Sequence, residues 1–134
     1  MTYLDEMLLQ AKQAMLNAYI PYSQYAVGAC IKTSTGKYFA ASNIENAAYG
    51  LTLCAETVAL GNMLTAGERT ITEVVVMAEG IKVCSPCGAC RQRIREFAAP
   101  SILIHLCNTA GQRKPMSLAE LLPEAFGPEN LQRP

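Results

Sequence analysis

Leu4, Met7, Leu8, Ala11, Met15 and Ala18 recur every three or four positions, the period of one helix face, and Pro21 closes the segment. The first element is therefore expected to be an amphipathic helix whose apolar stripe is core. Two short runs follow, Ala26 to Lys32 and Lys37 to Ile44. They flank Thr33-Ser34-Thr35-Gly36, where the glycine supplies the left-handed conformation that a hairpin turn needs. A second helix is predicted from near Thr52 to about Thr65, with Ala66-Gly67 suited to capping its end. Val74 to Met77 reads as a buried strand. Ser85-Pro86 looks like an N-cap with proline at the first helical position, opening a third helix that runs to about Phe97. Ile102 to Ile104 is a further strand, Ser117 to Leu122 a last short helix, and 128–134 a frayed tail. Alternation of strand and helix in the second half implies an α/β sheet with right-handed crossovers and helices packed on it. The second and third helices then begin at the same sheet edge, where ligands of such sheets gather.

With 134 residues and no repeat or linker, one domain over 1–134 is expected. The chain is 51% hydrophobic and only 16% charged, which points to apolar surface covered by other subunits. Eleven basic residues balance eleven acidic ones, so no net field concentrates nucleic acid or a lipid surface, and a small uncharged substrate fits better. Asp5 and Glu6 stand where a signal peptide carries bases, and no apolar run reaches membrane-spanning length, so a cytoplasmic protein is expected. In that compartment six cysteines argue for metal binding or catalysis ahead of disulfides.

Cys54 and the overlapping run Cys84-x-x-Cys87-x-x-Cys90 admit three readings. A closed site of four thiolates leaves unexplained why Glu56 lies two residues from Cys54 and why Pro86 precedes Cys87. An iron–sulfur cluster is disfavoured because Arg91-Gln92-Arg93 follows where the bacterial run continues to a fourth cysteine and proline. A catalytic zinc uses every feature. Cys87 and Cys90 at i and i+3 share a helix face, and Cys54 joins from the second helix. Helix N-termini favour the anionic thiolates, and Cys84 stays outside the ligand set. Zinc with an open position makes water acidic enough for an adjacent base, and Glu56 is placed to be that base. In a water-poor pocket its raised pKa lets the same carboxyl return the proton.

Cys54-Ala55-Glu56 followed by Pro86-Cys87-Gly88-Ala89-Cys90 matches the zinc deaminase signature. Upstream, Pro21-Tyr22-Ser23, Tyr25-Ala26-Val27-Gly28-Ala29 and Asn43-Ile44-Glu45-Asn46-Ala47-Ala48-Tyr49-Gly50 resemble the free-nucleoside cytidine deaminases of the small, homotetrameric, all-cysteine class. The resemblance runs from about Tyr19 to Phe126. It implies a three-layer α/β sandwich with a mixed, mostly parallel sheet, one Zn2+ per subunit, and deamination of cytidine and 2'-deoxycytidine in pyrimidine salvage. By the same resemblance Asn43 and Glu45 hold the ribose hydroxyls, and strand alternation independently sets both on one face. Tyr25 stands where the family has phenylalanine against the pyrimidine, and Ala55 between ligand and base is a further substrate contact. Phe126 resembles an aromatic that reaches a neighbouring subunit's site.

Many relatives place arginine directly after the glutamate, but here Thr57 stands there. Helix dipoles and Arg91 are expected to offset the thiolate charge instead. Arg93 and Arg95 read as solvated helix surface, His105 as a strand histidine with a local partner, and Cys30 and Cys107 as small hydrophobes. Two rivals remain. A deaminase of this fold acting on another cytosine nucleoside such as blasticidin S is opposed by the Asn43-x-Glu45 clamp. A non-catalytic zinc or RNA-binding module is opposed by the zero net charge.

Overall fold

A computed structural model describes residues 1–131. The chain forms α1 (Tyr3–Met15), β1 (Val27–Thr33), β2 (Tyr38–Ser42), α2 (Ala55–Thr65), β3 (Ile71–Ala78), α3 (Gly88–Arg95), β4 (Ala98–Asn108), β5 (Arg113–Ser117) and α4 (Leu118–Leu121). Single 3-10 turns lie at Tyr49–Leu51 and Pro128–Asn130. The latter is an ordered turn inside the expected frayed tail, of which residues 132–134 lie outside the described residues.

The five strands run in the order β2-β1-β3-β4-β5. Only β3 and β4 pair in parallel; β1/β2, β1/β3 and β4/β5 are antiparallel, so the sheet is mixed but not mostly parallel. The cause is connection length. Parallel neighbours need a crossover, and only α3 provides one between adjacent strands, whereas β1/β2 and β4/β5 are joined by short turns. Gly36, with φ +85°, makes the first of these turns.

Three layers result. On one face α1 buries Met7, Ala11 and Met15 against Cys30, Val75, Met77 and Cys107. A Cβ on Gly28 would lie 2.0 Å from the Ala11 carbonyl oxygen, so glycine there sets how closely α1 meets β1. On the other face α2, α3 and α4 pack Ala59, Leu60, Met63, Ile94, Leu118 and Leu121 on Ile31, Val74, Val76, Ile104 and Leu106. Val74 to Met77 divide alternately between the two cores, each buried side chain contributing about 1.5–3 kcal/mol, which is why this strand reads as an unbroken apolar run. Because β2 and β3 are both antiparallel to β1, the chain leaves them at the same sheet edge. The connections to α2 and α3 start there, and the cavity forms between them.

Candidate active site and metal centre

Both helices at this edge begin on a cysteine. Cys54 is the N-cap of α2, and Cys87 the N-cap of α3, each with extended backbone. Ser85 and Pro86 therefore lie before the helix rather than opening it. The Ser85 hydroxyl that looked like a cap instead accepts a 2.7 Å bond from Arg91 Nη2. Cys90 is fully buried one turn into α3. Among the described residues, Cys54, Cys87 and Cys90 form a group whose sulfurs all lie within 4.8 Å of one another, with Cys54 and Cys87 3.9 Å apart. Cys84 is not in that group.

The thiols make an unfavourable trio by themselves. Burial, then the neighbouring Glu56 charge, pushes the Cys90 thiol up, and burial also raises Cys54. Burial opposes the Cys87 thiolate as well, yet N–H groups of Cys90 and Ala89 and the adjacent thiols bring its pKa down. Ionised together, three converging sulfurs repel one another, and a cation held between them would offset that repulsion. Soft thiolates suit zinc, and three protein ligands leave the open position of a catalytic site. By contrast Cys30 and Cys107, raised by burial to about 12 and about 11, are inert core thiols.

Glu56 sits at the second position of α2 and is 5% exposed. Burial raises its pKa, against the opposing pull of a Cys90 hydrogen bond and the Arg93 charge. It shares a cavity of about 180 Å3 with Cys54, Cys87, Ala55, Asn43 and Tyr25. Cys84 and Ser85 also line this cavity, as do Thr52 and Leu53, which the sequence pattern did not single out as site residues although they immediately precede Cys54.

Thr52 also lines a second cavity of about 430 Å3 with Glu45, Tyr22, Ser23 and Tyr49, so the two spaces adjoin. Asn43 braces the start of β1, accepting from Val27 N at 3.0 Å and donating to Tyr25 O at 2.9 Å. The Glu45 carboxylate accepts from the N–H groups of Tyr22 and Ser23 at 2.9 and 3.0 Å and from the Ser23 hydroxyl. Asn43 and Glu45 are buried while Ile44 between them is 43% exposed, the alternation expected of extended chain.

A family model described as the cytidine and deoxycytidylate deaminase zinc-binding region matches residues 1–106. The chain belongs to that family. A cytidine deaminase of Sporosarcina psychrophila is 39% identical over 95% of this chain and 93% of its own length. The crystal structure of a cytidine deaminase from Burkholderia pseudomallei matches 94% of this chain and 100% of that one, with a TM-score of 0.88 at 41% identity. The structure of a Mycobacterium tuberculosis cytidine deaminase matches 95% and 99%, with a TM-score of 0.83 at 34% identity.

Two side chains in this deaminase-family site stand differently from expectation. Arg91 brings no charge to a sulfur. Its guanidinium donates to Pro86 O at 2.8 Å, Leu121 O at 2.7 Å and the Ser85 hydroxyl, tying α3 to the loop before it and to α4. Arg93, expected to be solvated surface, instead donates to the Thr57 hydroxyl at 3.1 Å and lies 4.0 Å from Cys90 Sγ. Phe126 is 57% exposed and does not line the cavity; its carbonyl accepts from Gln92 Nε2 at 2.8 Å on the outer side of α3. His105 is buried between two partners. Arg113 can only donate to Nδ1, at 3.0 Å, so Nε2 carries the hydrogen given to Glu73. No helix of the described residues is long and apolar enough to cross a membrane.

Proposed function

We propose that the protein is a zinc-dependent cytidine deaminase that converts cytidine and 2'-deoxycytidine to uridine and 2'-deoxyuridine with release of ammonia. The observation that carries this reading is the meeting, at two helix N-termini, of a three-thiol cluster with a buried carboxyl: Cys54, Cys87 and Glu56 line one cavity, and Cys90 is buried beside them. Cys54, Cys87 and Cys90 hold one zinc per subunit, which supplies the Lewis acidity that lets water lose a proton near neutral pH. Glu56 takes a proton from water as its oxygen adds to the amine-bearing ring carbon, and delivers it to the ring nitrogen. It then carries the second proton to the departing amine, so one carboxyl serves as base and acid in turn. Its burial supports the double role, since a carboxyl with a raised pKa gives its proton back readily. Tyr25 and Ala55 bound the pyrimidine, and the adjoining cavity takes the sugar, with Asn43 and Glu45 on its hydroxyls. A phosphate carried on the sugar has no obvious counter-charge in that cavity, which is lined by Tyr22, Ser23, Glu45, Tyr49 and Thr52, so a free nucleoside fits better.

The catalytic unit is read as one domain over 1–134, working in the cytoplasm in pyrimidine salvage. It is further read as a homotetramer. Exposed Tyr19, Ile44, Tyr49, Leu51 and Leu53 around the site support association, as does the exposed ring of Phe126, which we read as reaching a neighbour's site. A light-scattering mass equal to one chain would remove the tetramer and that role for Phe126 together. The test of the function is the fall in ultraviolet absorbance of cytidine and deoxycytidine with zinc-loaded protein. Turnover by wild type that vanishes in Glu56→Ala at matched zinc content is the expected result; no turnover of either nucleoside by zinc-loaded wild type sinks it.

A further inference from the structure

Three thiolates around a zinc ion leave the centre net negative, because two positive charges do not cancel three negative ones. Something in the chain has to face that excess. Position 57, next to Glu56 on α2, is threonine and carries no charge. Arg91, next to Cys90, has all three of its guanidinium nitrogens occupied by Pro86, Leu121 and Ser85. Arg93 is left. It lies one turn beyond Cys90 on α3, where i and i+3 side chains are neighbours. Among the described residues it is the one cationic side chain within hydrogen-bonding reach of a sulfur in the trio. The Thr57 hydroxyl completes a triangle, 3.5 Å from Cys90 Sγ and 3.1 Å from Arg93 Nη1. Sulfur, hydroxyl and guanidinium thus join the two helices that carry the cysteines, with the charge delivered from α3 across a residue of α2.

We propose that Arg93, acting directly on Cys90 and through Thr57, is the positioning residue that offsets the thiolate charge of this metal centre and sets its affinity for zinc. The inference rests on reading the three cysteines as zinc ligands, and it concerns how tightly the ion is held rather than the proton transfers of Glu56. An ordinary surface arginine would extend into solvent; this one is aimed inward at a buried sulfur and a hydroxyl. Groups that support metal ligands from behind commonly change affinity about 10–100-fold when removed. Arg93 is itself exposed, so the low end of that range applies.

The test measures zinc affinity by competition with a chelating dye, using purified full-length wild type, Arg93→Gln, Arg93→Lys, Thr57→Val and Cys54→Ala. Arg93→Gln is expected to weaken zinc binding about tenfold, and Arg93→Lys, which keeps the charge, about threefold or less. Thr57→Val should cost about threefold, and a variant combining Arg93→Gln with Thr57→Val less than the product of the two single losses, because hydroxyl and guanidinium act together. The gap between wild type and Arg93→Gln should narrow in high salt, which the loss of a purely structural contact would not do. Equal affinity of wild type and Arg93→Gln, or a lysine variant as weak as the glutamine one, overturns the proposal. If Arg93→Gln does not fold, the lysine and valine variants decide it, and unchanged affinity in Thr57→Val with salt-independent binding overturns it. Cys54→Ala separates the two levels: zinc retained there at full stoichiometry removes the ligand reading itself, whereas zinc lost there with Arg93 variants unaffected removes only the role of Arg93.

Discussion

Glu45 and Glu56 hide almost equal fractions of their surface, being 9% and 5% exposed, yet their surroundings push them in opposite directions. Around Glu45 the donors of one tight turn converge: the Ser23 hydroxyl first, then the backbone N–H groups of Ser23 and Tyr22. They solvate the carboxylate in place of water, and it lies near the molecular surface, so its pKa falls. Glu56 is surrounded by protein and thiols at the start of α2, and burial raises its pKa. A carboxylate fixed in its charged form can hold and orient polar groups but cannot trade protons near neutrality. One whose charged form is disfavoured gives a proton back more readily. On the function proposed above, the difference between holding and transferring is made by the neighbours of two chemically identical side chains, in adjoining cavities.

The largest expected effect tests this division at its catalytic end. Glu56→Gln keeps the shape of the side chain but not the titrating proton. It should lower kcat about 10²–10⁴-fold while KM and zinc content change little, measured by steady-state absorbance kinetics with metal analysis. Glu45→Gln should show the opposite split. The amide offers one acceptor where the carboxylate has two and must turn its NH2 towards a donor. KM for cytidine is therefore expected to rise about tenfold with a smaller change in kcat. If both variants lost kcat alike, the assignment of separate roles would fail.

Much of this site was legible in the chain because its chemistry lies in short spacings. Cys54-x-Glu56 and Cys87-x-x-Cys90 place three thiols and a carboxyl within single helix turns, so local periodicity suffices to bring them together. The Asn43-x-Glu45 alternation is equally local. What local pattern does not reveal is which turns face each other. Arg93 looks like helix surface until α2 and α3 converge and bring Thr57 beside it. Arg91, adjacent to the last ligand in sequence, points to α4 instead. The edge strand β5 was missed for a related reason. Arg113-Lys114-Pro115 has the charges and the proline that protect an exposed edge, and these erase the strand pattern. With β5 unseen and β1 set between β2 and β3, the sheet looked more parallel than it is.

Ser23→Ala sharpens the comparison at smaller scale. It removes the first of the influences that hold Glu45 ionised while leaving both backbone donors in place. Loss of one hydrogen bond to a charged group that keeps others should raise KM about threefold, less than Glu45→Gln does. A Ser23→Ala effect larger than that of Glu45→Gln would mean that the hydroxyl itself, and not the carboxylate it steadies, meets the substrate.

The smallest effect is a pH dependence of stability. The folded pKa of Glu45 lies below its ordinary value of 4.5, so its contribution is fully present above that pH and is lost as the pH falls through the folded value. Glutamine does not titrate. Wild type should therefore melt above Glu45→Gln by a constant margin from pH 7 down to about 5, and the margin should close on further acidification. Glu56, with its pKa raised, bears on stability with the other sign: its contribution is present at low pH and fades as the pH rises through its folded value, so it cannot produce the same closing margin. A margin unchanged to the acid limit of folding would show that the turn at Ser23 holds Glu45 by shape alone, and the contrast between a clamped and a proton-trading carboxyl would lose its electrostatic basis.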